Sequence, residues 1–199
     1  MNLKKTALFL GDLQNNFLHR EGSYARAGLA RPWMSVLPEK IAPLVQAARS
    51  RAILIVASLF TLAPGRNGEP IIADDLNRLR PFLTKGDFLP GSWNHQLVEA
   101  LAPADIHIEK VAYSAFHATR LDWVLRKSGI ESLLFTGIVT NVGISTTVRD
   151  AHVLEYDCTL IEDGCAAFNE ADHQIAVQAI RAVARVTTIA ETIREISAA

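Results

Sequence analysis

Six short apolar runs, separated by stretches with helical spacing, constrain what this chain of 199 residues can fold into. "TALFLGD" (6–12), "AILIVASLF" (52–60), "ADIHIEK" (104–110), "ESLLFTGIV" (131–139), "DCTLIED" (157–163) and "RVTTIAE" (185–191) read as strands. The first two are nearly continuous in apolar residues, as strands covered on both faces are. Between strands, "PEKIAPLVQAARS" (38–50) sets Ile41, Leu44, Val45 and Ala48 on one helical stripe. "ATRLDWVLRKSG" (118–129), "STTVRDAHVLE" (145–155) and "ADHQIAVQAIRAVA" (171–184) also read as helices. The alternation predicts one α/β domain over 1–199: a three-layer, doubly wound, Rossmann-type sheet of about six mainly parallel strands, with helices on both faces.

Residues 61–95 have weaker periodicity, with turn clusters at "APGRNGEP" and "LPGS". A substrate-facing loop region and a plain surface insertion both fit that stretch. A hydrophobic fraction of 49% with a net charge of −1 lacks the basic excess of a nucleic-acid binder. No apolar segment reaches the length of a membrane span. "MNLKKTALFLGD" reads as a first strand rather than a signal peptide, because Asp12 interrupts the apolar run. Cys158 and Cys165 form neither a disulfide framework nor a CxxC site, so a reducing, cytoplasmic setting is the default. The expected partner is a small-molecule substrate, with neither nucleic acid nor membrane.

Ligands of open α/β sheets bind outside the carboxyl ends of the strands. Asp12, Lys110 and the Gly137–Gly143 turn all fall at that edge. Taken singly, Asp12 could cap a turn and Lys110 could be a solvated strand end. Taken together, they could position a titrating acid or base beside a substrate. "GIVTNVGIST" (137–146) is a strand-to-helix turn of the kind that presents a nucleophile, yet it has no Cys, and Gly143 has no side chain. Covalent acyl transfer through residue 143 is therefore excluded. Ser145 and Thr146 read as helix-surface or packing positions; a residue two places along a helix points about 200° away.

"ALFLGDLQNNFL", "PGSWNHQLVEAL", "IEKVAYSAFHATRLDWVLRKSGI" and "LLFTGIVTNVGISTTVRDAHVLEYDCTLIEDGCAAF" occur in that order across nearly the whole chain. In these segments the chain resembles the isochorismatase-like hydrolases, or cysteine hydrolase superfamily. The resemblance implies catalytic roles for Asp12 and Lys110 and puts the family's nucleophilic Cys position at Gly143. It also implies a non-proline cis peptide between Ile138 and Val139, with the amides of Val139 and Gly143 facing an oxyanion. Isochorismatases proper are similar in carrying Gly there. They hydrolyse a vinyl ether with the Asp as general acid, and the Lys would orient the substrate. Their usual Tyr-Ala-His pattern is replaced here by Val139, Thr140 and Asn141, which resembles the amidohydrolase side of the family.

Three readings of Gly143 stay open: chemistry that needs no nucleophile, a catalytically silent binding or assembly paralogue, or a Cys-to-Gly variant of a C–N amidohydrolase. The stretch "SLFTLAPGRNGEPIIADD" lacks the His residues of the nicotinamidase metal site, so no metal or cofactor is expected. Phe17, Phe60, Trp93, Tyr113, Phe116 and Val139 are candidates to line the strand edge, with core packing as the alternative for the aromatics. Gln14 is a candidate supporting polar group. Arg66 and Arg80 could bind a substrate carboxylate or be solvated. Family members are commonly dimers or tetramers, so the resemblance implies a homodimer or homotetramer.

Overall fold

A computed structural model describes residues 1–199. Its strands are β1 (Thr6–Gly11), β2 (Leu54–Phe60), β3 (Ile106–Lys110), β4 (Ser132–Ile138), β5 (Asp157–Ala166) and β6 (Arg185–Thr187). Three one-turn helices, α1 (Asn15–Leu18), α2 (Ser23–Arg26) and α3 (Pro32–Ser35), precede α4 (Leu37–Ser50). Then come α5 (Asp74–Leu79), α6 (Leu121–Lys127), α7 (Ser145–Val153), α8 (Glu170–Ile180) and α9 (Ile189–Ala198). No helix is long and apolar enough to cross a membrane.

The six strands form one sheet in the order β3-β2-β1-β4-β5-β6. Every neighbouring pair is parallel. Strand order reverses between β1 and β4, so the chain leaves their carboxyl ends in opposite directions and opens a crevice there.

Side chains alternate across the sheet. Leu8, Leu10, Ile55 and Leu134 face one layer, packing with Ile41, Leu44 and Ala48 of α4 and Ile196 of α9. Phe9, Val56, Phe135 and Leu160 face the other, against Leu121 and Leu125 of α6, Val148 of α7 and Val177 of α8. Phe9 and Phe135 meet across β1 and β4 with ring centroids 5.5 Å apart.

The expected sixth strand, 185–191, is shorter than its β-branched content suggests. It ends at Thr187, and Thr188 caps α9 in its place: its Oγ1 accepts from the Glu191 amide at 3.3 Å, while Glu191 Oε2 accepts from the Thr188 amide at 3.4 Å. This reciprocal box satisfies amides that a new helix leaves unpaired. β5 runs on to Ala166, three residues past its expected end.

At the reversal point β1 and β4 approach unusually closely. Gly137 pairs with Gly11, and a Cβ on Gly137 would lie 2.2 Å from the Gly11 carbonyl oxygen. Gly137 also has φ +124°, a conformation that side chains disfavour. Gly137→Ala should therefore lower the unfolding free energy by more than about 2 kcal/mol in urea titrations. An unchanged urea midpoint would mean that the two strands part freely.

Candidate active site

Asp12 directly follows β1, with its backbone in the left-handed region at φ 56°. Few residues other than glycine adopt that conformation, Asp among the more tolerant. Its carboxyl group is held across three adjacent strands. Oδ1 accepts from Ser58 Oγ of β2 at 2.8 Å, and Oδ2 faces Lys110 Nζ at the end of β3 at 2.7 Å. Both partners are buried, Asp12 to 6% and Lys110 to 3% exposure. Burial pushes the Asp12 carboxyl above its ordinary pKa; the Lys110 charge and the hydrogen bonds from Lys110 and Ser58 pull it back only in part.

Lys110 also donates to the carbonyls of Ala112 at 3.1 Å and Tyr113 at 3.0 Å. An ammonium has three hydrogens, and all three are engaged. In this geometry Lys110 holds Asp12 and the chain at 112–113, and it has no donor left to orient a substrate.

β4 leads through a cis peptide between Ile138 and Val139 into a π-helical turn, Thr140–Ile144, and then into α7. Hydroxyls fasten this turn. Thr147 Oγ1 donates to the Gly143 carbonyl at 2.7 Å and accepts from the Ala115 amide at 3.1 Å. Thr140 Oγ1 lies 2.9 Å from His173 Nδ1. Gly143 is not in the left-handed region, so its backbone does not demand glycine. A Cβ there would lie 3.4 Å from the Ile138 oxygen, 3.5 Å from Asp12 Oδ2 and 3.7 Å from the Tyr113 oxygen. A side chain would fit and would point at the carboxyl group.

A cavity of about 220 Å³ opens over these groups. Of the residues expected from sequence, Asp12, Lys110, Gly143, Phe17, Phe60, Arg80, Tyr113 and Val139 line it. Sequence reasoning missed Tyr24 and Phe168, which stack with ring centroids 5.4 Å apart to build one wall. It also missed Ser58, although a lone hydroxyl in the apolar run of β2 was a usable signal. The 61–95 excursion faces the cavity through Leu76, Arg80 and Leu83. Arg80 donates to Tyr24 Oη at 3.2 Å and pairs with no carboxylate.

Four expected residues lie elsewhere. Gln14 is fully buried and braces the wall: its amide donates to the Phe60 and His95 carbonyls and accepts from the Phe60 amide at 2.8 Å. Trp93 is 44% exposed and packs edge-on against His19, with its carbonyl accepting from the Asn15 side-chain amide at 2.9 Å. Phe116 is drawn toward the core against Tyr156. Arg66 is exposed in a turn of the excursion. Neither thiol lines the cavity, and burial pushes the Cys158 thiol up to about 12 and Cys165 also upward. No cluster of three or more His, Cys, Asp or Glu side chains is placed to hold a metal ion. The arrangement is suited to moving a proton at Asp12 in an apolar enclosure.

Comparison with known proteins shows the family. The chain matches the Isochorismatase domain family over residues 6–191. It is 33% identical over 171 residues to the ureidoacrylate amidohydrolase RutB of Caulobacter vibrioides, covering 80% of this chain and 76% of that one. Its identity to the Methylorubrum extorquens protein of the same name is 36% over 169 residues, covering 79% and 68%. A cysteine hydrolase from Pseudomonas syringae pv. phaseolicola superposes with a TM-score of 0.86 at 28% identity, over 100% of this chain and 95% of that one. N-carbamoylsarcosine amidase from Thermoplasma acidophilum, at 22% identity and a TM-score of 0.74, covers 93% and 96% and shares the fold.

Lys110→Met should raise the Asp12 pKa further, since it removes the main force opposing burial. A carboxyl group with a raised folded-state pKa adds stability that is full below its unfolded value of about 4 and is lost as pH rises through the folded value. Urea unfolding of Lys110→Met across that range should show stability falling more steeply with pH than in the parent, and carboxyl NMR should show the upward shift. A downward shift would mean that Lys110 is not the group opposing the effect of burial on Asp12.

Proposed function

The chain belongs to the isochorismatase family of hydrolases, and from that premise we propose that it hydrolyses a small anionic substrate without forming a covalent enzyme intermediate. Asp12 is the general acid, and a vinyl ether such as isochorismate is the preferred substrate class. One observation carries this reading: the position facing Asp12 Oδ2 is Gly143, which has no atom to attack with, while Asp12 is buried and its carboxyl pKa is raised.

In the proposed reaction, protonated Asp12 gives its proton to the methylene carbon of the enol ether, and the alkene electron pair forms the new C–H bond. Water adds to the resulting oxocarbenium carbon and returns a proton to the Asp12 carboxylate. The hemiketal then collapses to the carbonyl product and the alcohol. The aromatic wall of Phe17, Tyr24, Phe60 and Phe168 excludes solvent and favours the protonated acid. Arg80 provides a guanidinium with no acidic partner, suited to a substrate carboxylate. Lys110 stabilises developing negative charge through its field.

The kinship to ureidoacrylate amidohydrolases favours a second reading, hydrolysis of a C–N bond by water with Asp12 acting as a carboxylate base. The two differ in pH dependence. Acid catalysis at carbon requires protonated Asp12, so kcat falls as pH rises through its raised pKa. Base catalysis requires the carboxylate, so kcat falls as pH drops through it.

Incubation with isochorismate should release pyruvate, and Asp12→Asn should reduce the rate by at least about a hundredfold. Equal release by Asp12→Asn would remove Asp12 from the chemistry. Turnover of ureidoacrylate alone would establish the second reading, and turnover of neither substrate would make the chain a silent ligand-binding paralogue. Arg80→Met should raise KM roughly ten- to a hundredfold with kcat little changed. A loss confined to kcat would contradict the binding role.

A further inference from the structure

The surroundings of Gly143 are those of a small polar seat. The direction in which a side chain would leave its Cα is bordered by three oxygens from three separate segments. From the Cβ position they are the Ile138 carbonyl at the end of β4 at 3.4 Å, Asp12 Oδ2 after β1 at 3.5 Å and the Tyr113 carbonyl at 3.7 Å. All are hydrogen-bond acceptors or, in the case of protonated Asp12, a donor as well. Two of the three, and the turn that carries Gly143, are held in place. Asp12 is held by Ser58 and Lys110, the Tyr113 carbonyl by Lys110, and the Gly143 turn by Thr147.

We propose that the space in front of the Gly143 Cα seats the hydrolytic water, oriented by a hydrogen bond to the Ile138 carbonyl and deprotonated by Asp12 Oδ2. This inference rests on the hydrolase reading above and supplies its nucleophile. A water in van der Waals contact with the Cα lies in the direction a side chain would take, so a Cβ at 143 would displace it. It keeps the attacking oxygen beside the same carboxyl group that delivers the first proton.

The proton balance closes on one residue. Asp12 loses its proton to the substrate carbon and becomes a carboxylate. The seated water then forms the new C–O bond, and its proton goes to that carboxylate. On this view glycine at 143 has a positive function. Any larger residue would occupy the seat of the reactant, even though the backbone tolerates it.

Gly143→Ala is the direct test. Its methyl group meets its neighbours at ordinary contact distances, so the variant should unfold at the same or a higher denaturant concentration than the parent. It should lose kcat by on the order of a hundredfold or more with KM for isochorismate nearly unchanged. Independently of turnover, a high-resolution crystal structure of the unmodified protein should contain an ordered water bonded to Asp12 Oδ2 and the Ile138 carbonyl, and the Gly143→Ala crystal should lack it. A parental structure without that water overturns the proposal whatever the activity, as does full kcat in a folded Gly143→Ala. If the parent turns over neither isochorismate nor ureidoacrylate, the hydrolase reading fails, and the water density alone decides whether the seat exists.

Discussion

A carboxyl group and an ammonium 2.7 Å apart, both nearly sealed from solvent, tie three neighbouring strands together at the carboxyl edge of the sheet. Asp12 follows β1, Ser58 sits in β2 and Lys110 ends β3, so the contact depends on strand register. Gly11 pairs with Ser58 and Phe60 pairs with Lys110, which brings the three side chains to one level. Such a pair is weak evidence for stability, because removing two charges from water costs about as much as their attraction returns. Its value is positional: it fixes the carboxyl group, and through the remaining Lys110 hydrogens it fixes the chain at Ala112 and Tyr113.

That edge meets the turn after β4 because Gly11 and Gly137 let the two backbones come together. The close approach sets Gly143 opposite Asp12, and the hydroxyls of Thr140 and Thr147 keep it there. Around this polar floor the walls are mostly apolar, aromatic at Phe17, Tyr24, Phe60 and Phe168, and braced from behind by Gln14. An enclosure that sets a buried carboxyl group, Asp12, beside an engaged ammonium, with an Arg80 guanidinium that pairs with no carboxylate and a second carboxyl group, Asp172, on its lining, is suited to a small polar substrate and to proton transfer. It is poorly suited to covalent catalysis.

Much of the fold was legible because apolar spacing is a local property of the chain. The strands and the helix at 38–50 follow directly from it. The run "RVTTIAE" misled because β-branched residues favour a strand, whereas Thr188 and Glu191 together form a cap that begins α9. Among site residues, Asp12, Lys110 and Gly143 were legible because they end or follow strands. Trp93 and Phe116 were not separable from Phe17 and Phe60, since all are aromatics near the same edge and only packing decides which way each ring turns. Tyr24 and Phe168 come from distant segments with no shared spacing, and they meet only when the sheet is wound.

The sequence by itself determined that no nucleophile stands at position 143, since that is a matter of covalent composition, and that strands and helices alternate. Tertiary structure decided that Lys110 has no hydrogen left for a substrate, that Asp12 holds its proton more tightly than an exposed carboxyl group, and that Arg80 rather than Arg66 reaches the cavity. Donor count, desolvation and reach all depend on which neighbours the fold assembles, and no spacing along the chain encodes those neighbours directly.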